Sequence, residues 1–357
     1  CSVAEHYTFV GWYNGNEKMD DTAAIHSDLT LTATAVAASF PFSEVSNNAD
    51  VTVSSGVTDG QATYGTDITF TVSPASGYAV TSVSYTVGTG TVATPLTADN
   101  GTYTIDGESI TGAIKVEVVA VQYHEITFQA GEGTTMDTVT AYVKDGETTL
   151  YTDTTFTQAI TEIPEPAAAT GYRLAADTAD EPLWSDGTNK YQSSALGSTS
   201  FTADTILTAQ AVKQWTVTFQ AGTNGSFAED AVTELTVDAN HVLIPAEIPA
   251  VTAEAGYTFT GWDKNVNAAI TADTTFTAQY TDATYTLTLP TIDGVTFTVT
   301  GTGVTSNDNG TYTVTHGSDV TIGVTVDETQ VDVDSITYTI VSGKSETVSD
   351  FSNGITI

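Results

Sequence analysis

Residues Gly256 to Tyr280 read GYTFTGWDKNVNAAITADTTFTAQY. Apolar and threonine side chains alternate through Tyr257, Phe259 and Trp262, a polar loop follows, and alternation resumes through Phe276, Ala278 and Tyr280. Period-two alternation on both sides of a turn-rich crossing predicts two strands. The same text returns as Tyr7-Thr8-Phe9-Val10-Gly11-Trp12, followed by Ser27-Asp28-Leu29-Thr30-Leu31-Thr32-Ala33. A looser copy spans Gly171-Tyr172, then Trp184, then Thr202 to Gln210. The chain therefore reads as a repeat array.

Two of these aromatic copies carry a leading strand, Ile126-Thr127-Phe128-Gln129-Ala130-Gly131 and Val217-Thr218-Phe219-Gln220-Ala221-Gly222. The first copy shows no such strand ahead of Tyr7. A second repeat type lies between them. Thr63 to Val72 alternates strictly, Pro74 to Gly77 turns, Val80 to Val87 alternates again, Asn100-Gly101 signals a hairpin, and Ile114 to Val121 closes the unit. Its text recurs at the other end of the chain: His316 to Thr321 matches Tyr64 to Thr69, Ile336 to Ile340 matches Val83 to Val87, and Asn353 to Ile357 matches Asn100 to Ile105. The counterpart of Ile114 to Val121 is missing there.

Five segments follow: a partial aromatic repeat at 1–40, a sandwich-like repeat at 41–122, an aromatic repeat with an insertion at 123–213, an aromatic repeat at 214–282, and a sandwich-like repeat lacking its last strand at 283–357. The insertion is marked by Ile163-Pro164-Glu165-Pro166 and by a polar loop from Glu181 to Leu196 around Trp184. A short helix is expected at Ala228 to Leu235 or around Pro245 to Pro249. Linkers are expected to be short, at Gln122 to Glu125, Lys213 to Gln214 and Thr281 to Thr284. The fold class is all-β, an elongated tandem array of small β-grasp-like and immunoglobulin- or sandwich-like modules. Two readings stand for the incomplete end modules. Either the sequence is a piece of a longer protein, or neighbouring subunits complete each other by strand addition along a fibre.

Composition bounds function by exclusion. The chain has 44 acidic residues against 8 basic ones, a formal charge of -36. Binding to phosphate backbones or anionic membranes needs the opposite balance, so no nucleic acid partner is expected, and no apolar run approaches the length of a transmembrane helix, so no direct membrane insertion is expected. Cys1 is the only cysteine, so no internal disulfide forms. It is either the lipidated first residue of a mature lipoprotein or simply the point where the known sequence begins.

No residue set carries catalysis, and no catalytic, cofactor or metal residues are assigned. His6, His26, His124, His241 and His316 are scattered, with no His-x-x-x-His spacing and no carboxylate pairing around them. No nucleophile elbow or phosphate loop is present. Calcium is the one cofactor the acidic turns Asn307-Asp308-Asn309-Gly310 and Asp332-Val333-Asp334 would admit, although neither has EF-hand spacing. Trp12, Trp184 and Trp262 suit sugar stacking, but their recurrence at one repeat position favours core packing. Lys115 and Lys264 are conceivable donors for an internal isopeptide bond, without a sequence signal for either.

The aromatic repeat resembles the Listeria-Bacteroides repeat, also called the internalin B-repeat family. The matching text is Gly256-Tyr257-Thr258-Phe259-Thr260-Gly261-Trp262, followed by Asp273 to Ala278 and preceded by Val217 to Phe219. The copy around Trp184 departs from it, since no glycine precedes that tryptophan. The resemblance implies a small β-grasp-like unit, a surface or secreted location, and a spacer or adhesive role without catalytic residues. The expected function is accordingly an extracellular structural repeat protein of a bacterial surface, a stalk or filament subunit. The alternative is an adhesin module that binds glycan or host protein through its inserted loops.

Overall fold

The computed structural model describes residues 2–20, 22, 24–327, 329, 335–339, 345–348 and 355–356. The chain is all-β and forms two compact units, Cys1–Ala211 and Val212–Ile357.

Within the first unit, the alternating stretches from 39 to 121 build a sandwich of two sheets. One sheet pairs Ile68–Pro74 antiparallel with both Ala49–Ser55 and Thr102–Ile105. In the other, the strand Ile114–Gln129 lies between Ser39–Asn47, to which it is parallel, and Tyr78–Val87, to which it is antiparallel. Alternation sends every second side chain inward. Ile68, Phe70 and Ile105 of the first sheet share one core with Ile114, Val116 and Val118 of the second. Each such burial contributes about 1.5–3 kcal/mol.

Ile114–Gln129 does not stop at the edge of the sandwich. It spans 16 residues, shifts register once between Val119 and Ala120, and runs on as the first strand of the middle aromatic repeat. There it pairs antiparallel with Val139–Lys144 and parallel with Thr205–Ala209. Its last third buries Ile126 and Phe128 in a second core with Ala141, Val143, Trp184 and Leu207. Gln122 to Glu125, expected as a linker, thus lies inside a continuous strand. The reason is that inward-facing residues, Ile114 through Val118 and then His124 through Phe128, resume on the far side of the register shift.

The second unit holds the complete aromatic repeat. Its sheet runs Glu234–Asp238, Ala211–Gln220, Thr274–Asp282, Tyr257–Trp262, with the central pair parallel and the outer pairs antiparallel. Lys213 and Gln214 sit inside Ala211–Gln220, so this expected linker is strand as well. At Thr281 to Thr284 a single residue, Ala283, separates Thr274–Asp282 from Thr284–Thr288. No helix forms at Ala228 to Leu235, where turn residues lead into the strand Glu234–Asp238. The crossing holds one 3₁₀ turn, Pro245–Glu247, in which the Glu247 carboxylate accepts from the Ile244 N–H at 2.9 Å.

The last sandwich-like module repeats the pairings of the first with one difference. Val295–Thr300 pairs with Thr321–Val326, which pairs with Ile355–Thr356. Ile336–Thr339 pairs with Ser345–Val348. Thr284–Thr288 pairs with Thr311–Thr315. The first module joins the equivalents of these last two pairs into one sheet through Ile114–Val119. Among the described residues of the last module no strand joins them, and they form separate sheets.

Aromatic and sandwich-like modules meet in the same way twice. The Ala38 N–H donates to the His6 carbonyl at 2.7 Å, and the Ala38 carbonyl accepts from the Tyr64 N–H at 2.9 Å. The Ala283 N–H donates to the Gly256 carbonyl at 2.7 Å, and its carbonyl accepts from the His316 N–H at 2.8 Å. His6 (φ 64) and Gly256 (φ 93) both take the left-handed conformation needed to turn into the following strand. A ring closes each corner, Tyr64 with its centroid 4.8 Å from that of His6, and His316 with its centroid 5.7 Å from that of Tyr257.

Candidate functional site

In the insertion of the middle aromatic repeat, loops rather than strands build a concave surface. Its first loop leaves Val139–Lys144 and carries Thr149, Leu150 and Ile160 to Pro166; its second runs from Leu174 to Gly197. Between them lies a cleft of about 860 Å³, floored by Leu150, Leu174, Ala175 and Leu183 and rimmed by Glu162, Glu165, Ser193 and Ser194.

Hydrogen bonds fix the second loop. Asp177 has φ 56, a conformation in which the short carboxylate reaches the backbone around it. Its Oδ1 accepts from the Ser193 N–H at 2.9 Å and the Leu183 N–H at 3.3 Å, and its carbonyl accepts from Gln192 Nε2 at 3.0 Å. The Trp184 indole donates from Nε1 to Ser193 Oγ at 3.1 Å. Arg173, the only arginine in the sequence, grips Glu181 through two parallel bonds of 2.9 and 3.0 Å. Such a fork fixes geometry as well as adding energy. The hairpin Trp184–Ser185 with Lys190–Tyr191 is closed by Asp186. Backbone N–H groups of Asn189 and Thr188 and the Tyr191 hydroxyl hold its carboxyl far below the usual carboxylate range. Bonding to Asp186 also pushes the Tyr191 phenol up, after the larger effect of burial.

This polar scaffold can hold a neutral or hydroxyl-rich ligand against an apolar floor. Ser193 is committed to Trp184 and Asp177 and has no base within the contacts it makes. Among the described residues no group of three or more His, Cys, Asp and Glu side chains converges as a metal site would require.

The residues singled out in the sequence fall in different places. Trp184 is fully buried and Trp262 half-buried, each edge-on to a phenylalanine of its leading strand, with centroids 5.1 Å apart to Phe128 and to Phe219 respectively. Trp12 is 36% exposed. Asn307 and Asn309 turn their oxygens onto Thr313 and Thr311 within their own hairpin, and Asp332-Val333-Asp334 lies outside the described residues. Lys264 Nζ donates to the Thr275 carbonyl.

Two histidines do meet carboxylates at hydrogen-bond distance, contrary to expectation. Buried His124 has Nε2 2.9 Å from Asp145 Oδ1, and His241 has Nε2 2.8 Å from Glu247 Oε2. The first pair joins neighbouring strands and the second bridges the ends of a loop, so sequence spacing gave no signal of either. The His241 side chain, with the Ile244 N–H, lowers the Glu247 pKa. Compared with known proteins, the chain matches no family model, and no curated protein or solved structure matches it. Among the described residues no helix is long and apolar enough to cross a membrane.

Proposed function

We propose that the chain is a structural repeat protein of an extracellular bacterial surface, a stalk or filament subunit whose modules are joined through one shared strand and through single-residue junctions. The observation that carries this reading is Ile114–Gln129, one strand that is at once the centre of a sandwich sheet and the first strand of the next repeat. Pulling the modules apart along this strand means breaking backbone ladders in both, whereas a flexible linker would simply extend. The junctions at Ala38 and Ala283, each a single residue held by two backbone bonds, favour the same reading. So does the charge of -36, which keeps surfaces apart and suits a polymer exposed to solvent. The resemblance to the Listeria-Bacteroides repeat agrees with it, and the reading assigns no enzymatic activity. Immunogold labelling of intact source cells tests it: label is expected along surface stalks or filaments, and label seen only after permeabilisation refutes it.

One observation favours a second reading, an adhesin. The cleft between the inserted loops is preorganised by Arg173, Asp177 and Trp184, and preorganisation is what loop-borne binding sites need. An adhesin would bind components of a glycan array and lose them on deletion of residues 181–196. A pure spacer binds none.

A further inference from the structure

One wall of the cleft between the inserted loops is the stretch 161–166, which reads Thr-Glu-Ile-Pro-Glu-Pro and lines it over its whole length. Pro164 and Pro166 fix their own φ and push Ile163 and Glu165 out of the helical region, so the stretch runs extended into the strand Ala167–Ala168. That strand pairs with Thr134–Thr135, and the pairing ends at Ala167. Among the described residues no hydrogen bond reaches the backbone of residues 161–166. Its N–H and carbonyl groups are open, as they are along the edge of a sheet.

Charge on the cleft has one sign. Glu162, Glu165 and Asp177 line it, and no lysine, arginine or histidine does. The Asp177 carboxylate serves backbone N–H groups of its own loop. Glu162 and Glu165 are exposed and meet no cation among the described residues, and the Lys144 and Arg173 side chains of the same repeat are held by Glu147 and Glu181. Beneath them Leu150, Leu174 and Leu183 give an aliphatic floor, and no aromatic ring lines the cleft. A sugar therefore finds no stacking face there. A simple alkylammonium would satisfy the rim and the floor but offers no acceptor to the N–H groups of the wall. A polypeptide supplies all three, with peptide groups for the wall, aliphatic side chains for the floor and cations for the rim. The volume of about 860 Å³ lies within the usual ~300–1,000 Å³ of ligand clefts.

We infer that this cleft binds an extended segment of a partner polypeptide in which aliphatic residues alternate with lysine or arginine. Alternation sends the aliphatic side chains to the floor and the cations to Glu162 and Glu165. The inference deepens the adhesin reading by naming the ligand class of its cleft, and it rests on that reading.

The test is titration of the full chain, at near-physiological salt, with a fluorescent synthetic peptide of about seven residues in which lysine and valine alternate, followed by anisotropy. Saturable one-to-one binding is expected. It should weaken by about tenfold or more when serine replaces valine in the peptide, and by severalfold in the chain carrying Glu162→Gln with Glu165→Gln. Both glutamates are exposed and bond nothing described, so the double variant keeps the fold. It removes two of the 44 acidic side chains and leaves the general attraction of the chain for cations nearly intact. Absence of saturable binding, equal binding of the serine peptide, or an unchanged affinity in the double variant overturns the inference. Self-association of the chain that the peptide disrupts also overturns it, and would seat a second copy in the cleft. A glycan array probed in parallel separates this failure from that of the adhesin reading. Glycans bound and then lost on deleting residues 181–196, with no peptide bound, overturn the peptide ligand alone, and binding of neither probe overturns both.

Discussion

The Trp184 ring stands edge-on to Phe128, 5.1 Å between centroids, and these two residues tie the inserted hairpin to the strand that also serves the sandwich. Truncating Phe128 therefore acts on both neighbours. Phe128→Ala should destabilise the middle aromatic repeat by about 3–5 kcal/mol, the usual cost of emptying a fully buried aromatic site. Because Ile114 and Phe128 share one strand, Ile114→Ala, at about 2–5 kcal/mol, should also lower the midpoint of that repeat. Urea unfolding followed separately by Trp184 fluorescence and far-UV dichroism checks this. If Ile114→Ala leaves the fluorescence transition in place, the modules are energetically independent.

Whether Gln122 to Glu125 is strand or linker has a direct test in Tyr123→Pro. The Tyr123 N–H donates to the Gly77 carbonyl at 3.0 Å, and proline deletes that donor in the middle of a sheet. A tether would tolerate the change. Here a loss of several degrees in Tm is expected, together with a split of one thermal transition into two as the strand breaks at its midpoint.

The inserted cleft depends on the Arg173–Glu181 fork. Both side chains are about one-third exposed, so the pair should contribute only about 1 kcal/mol to global stability. Its effect is local. Arg173→Lys keeps the charge but cannot form two parallel bonds. Hydrogen exchange should therefore speed up at Ala176, whose N–H donates to the same Glu181 carboxylate at 3.0 Å, while the sandwich amides stay protected.

Much of this architecture was legible in the sequence. The Gly-Tyr-x-Phe-x-Gly-Trp text marks a strand whose glycine forms a bulge before the tryptophan, at Gly11 and Gly261 alike, and the period-two runs gave the all-β class directly. Two kinds of feature were hidden. Continuity across Gln122 to Glu125 was masked because Val119 to Tyr123 bury no side chain fully between the two cores, so the alternation of Ile114 to Val118 fades before it resumes at His124 to Phe128, which reads as an interruption. The histidine pairs and the Asp177 hub were masked because their partners, Asp145, Glu247 and Ser193, are brought close by pairing and loop closure. The cleft itself is a product of loop packing, for which no periodicity exists.

Asp186 gives the insertion a pH dependence of calculable sign. Its folded pKa is depressed by hydrogen bonds from Asn189, Tyr191 and Thr188, so the native hairpin binds its proton less readily than the unfolded chain does. The associated stability is present above the ordinary aspartate value near 3.8 and disappears as pH falls through the lower folded value. Glu247 behaves alike, lowered from 4.5 by His241 and the Ile244 N–H. Asp186→Asn removes the first contribution at neutral pH and flattens it in acid. Amide exchange of Asn189 followed from neutral pH downward should show protection in the wild-type chain that is lost only in strong acid. In the variant that protection should already be reduced at neutral pH. If the two profiles coincide, the hairpin is held by Tyr191 and Trp184 packing, and the carboxylate is incidental to it.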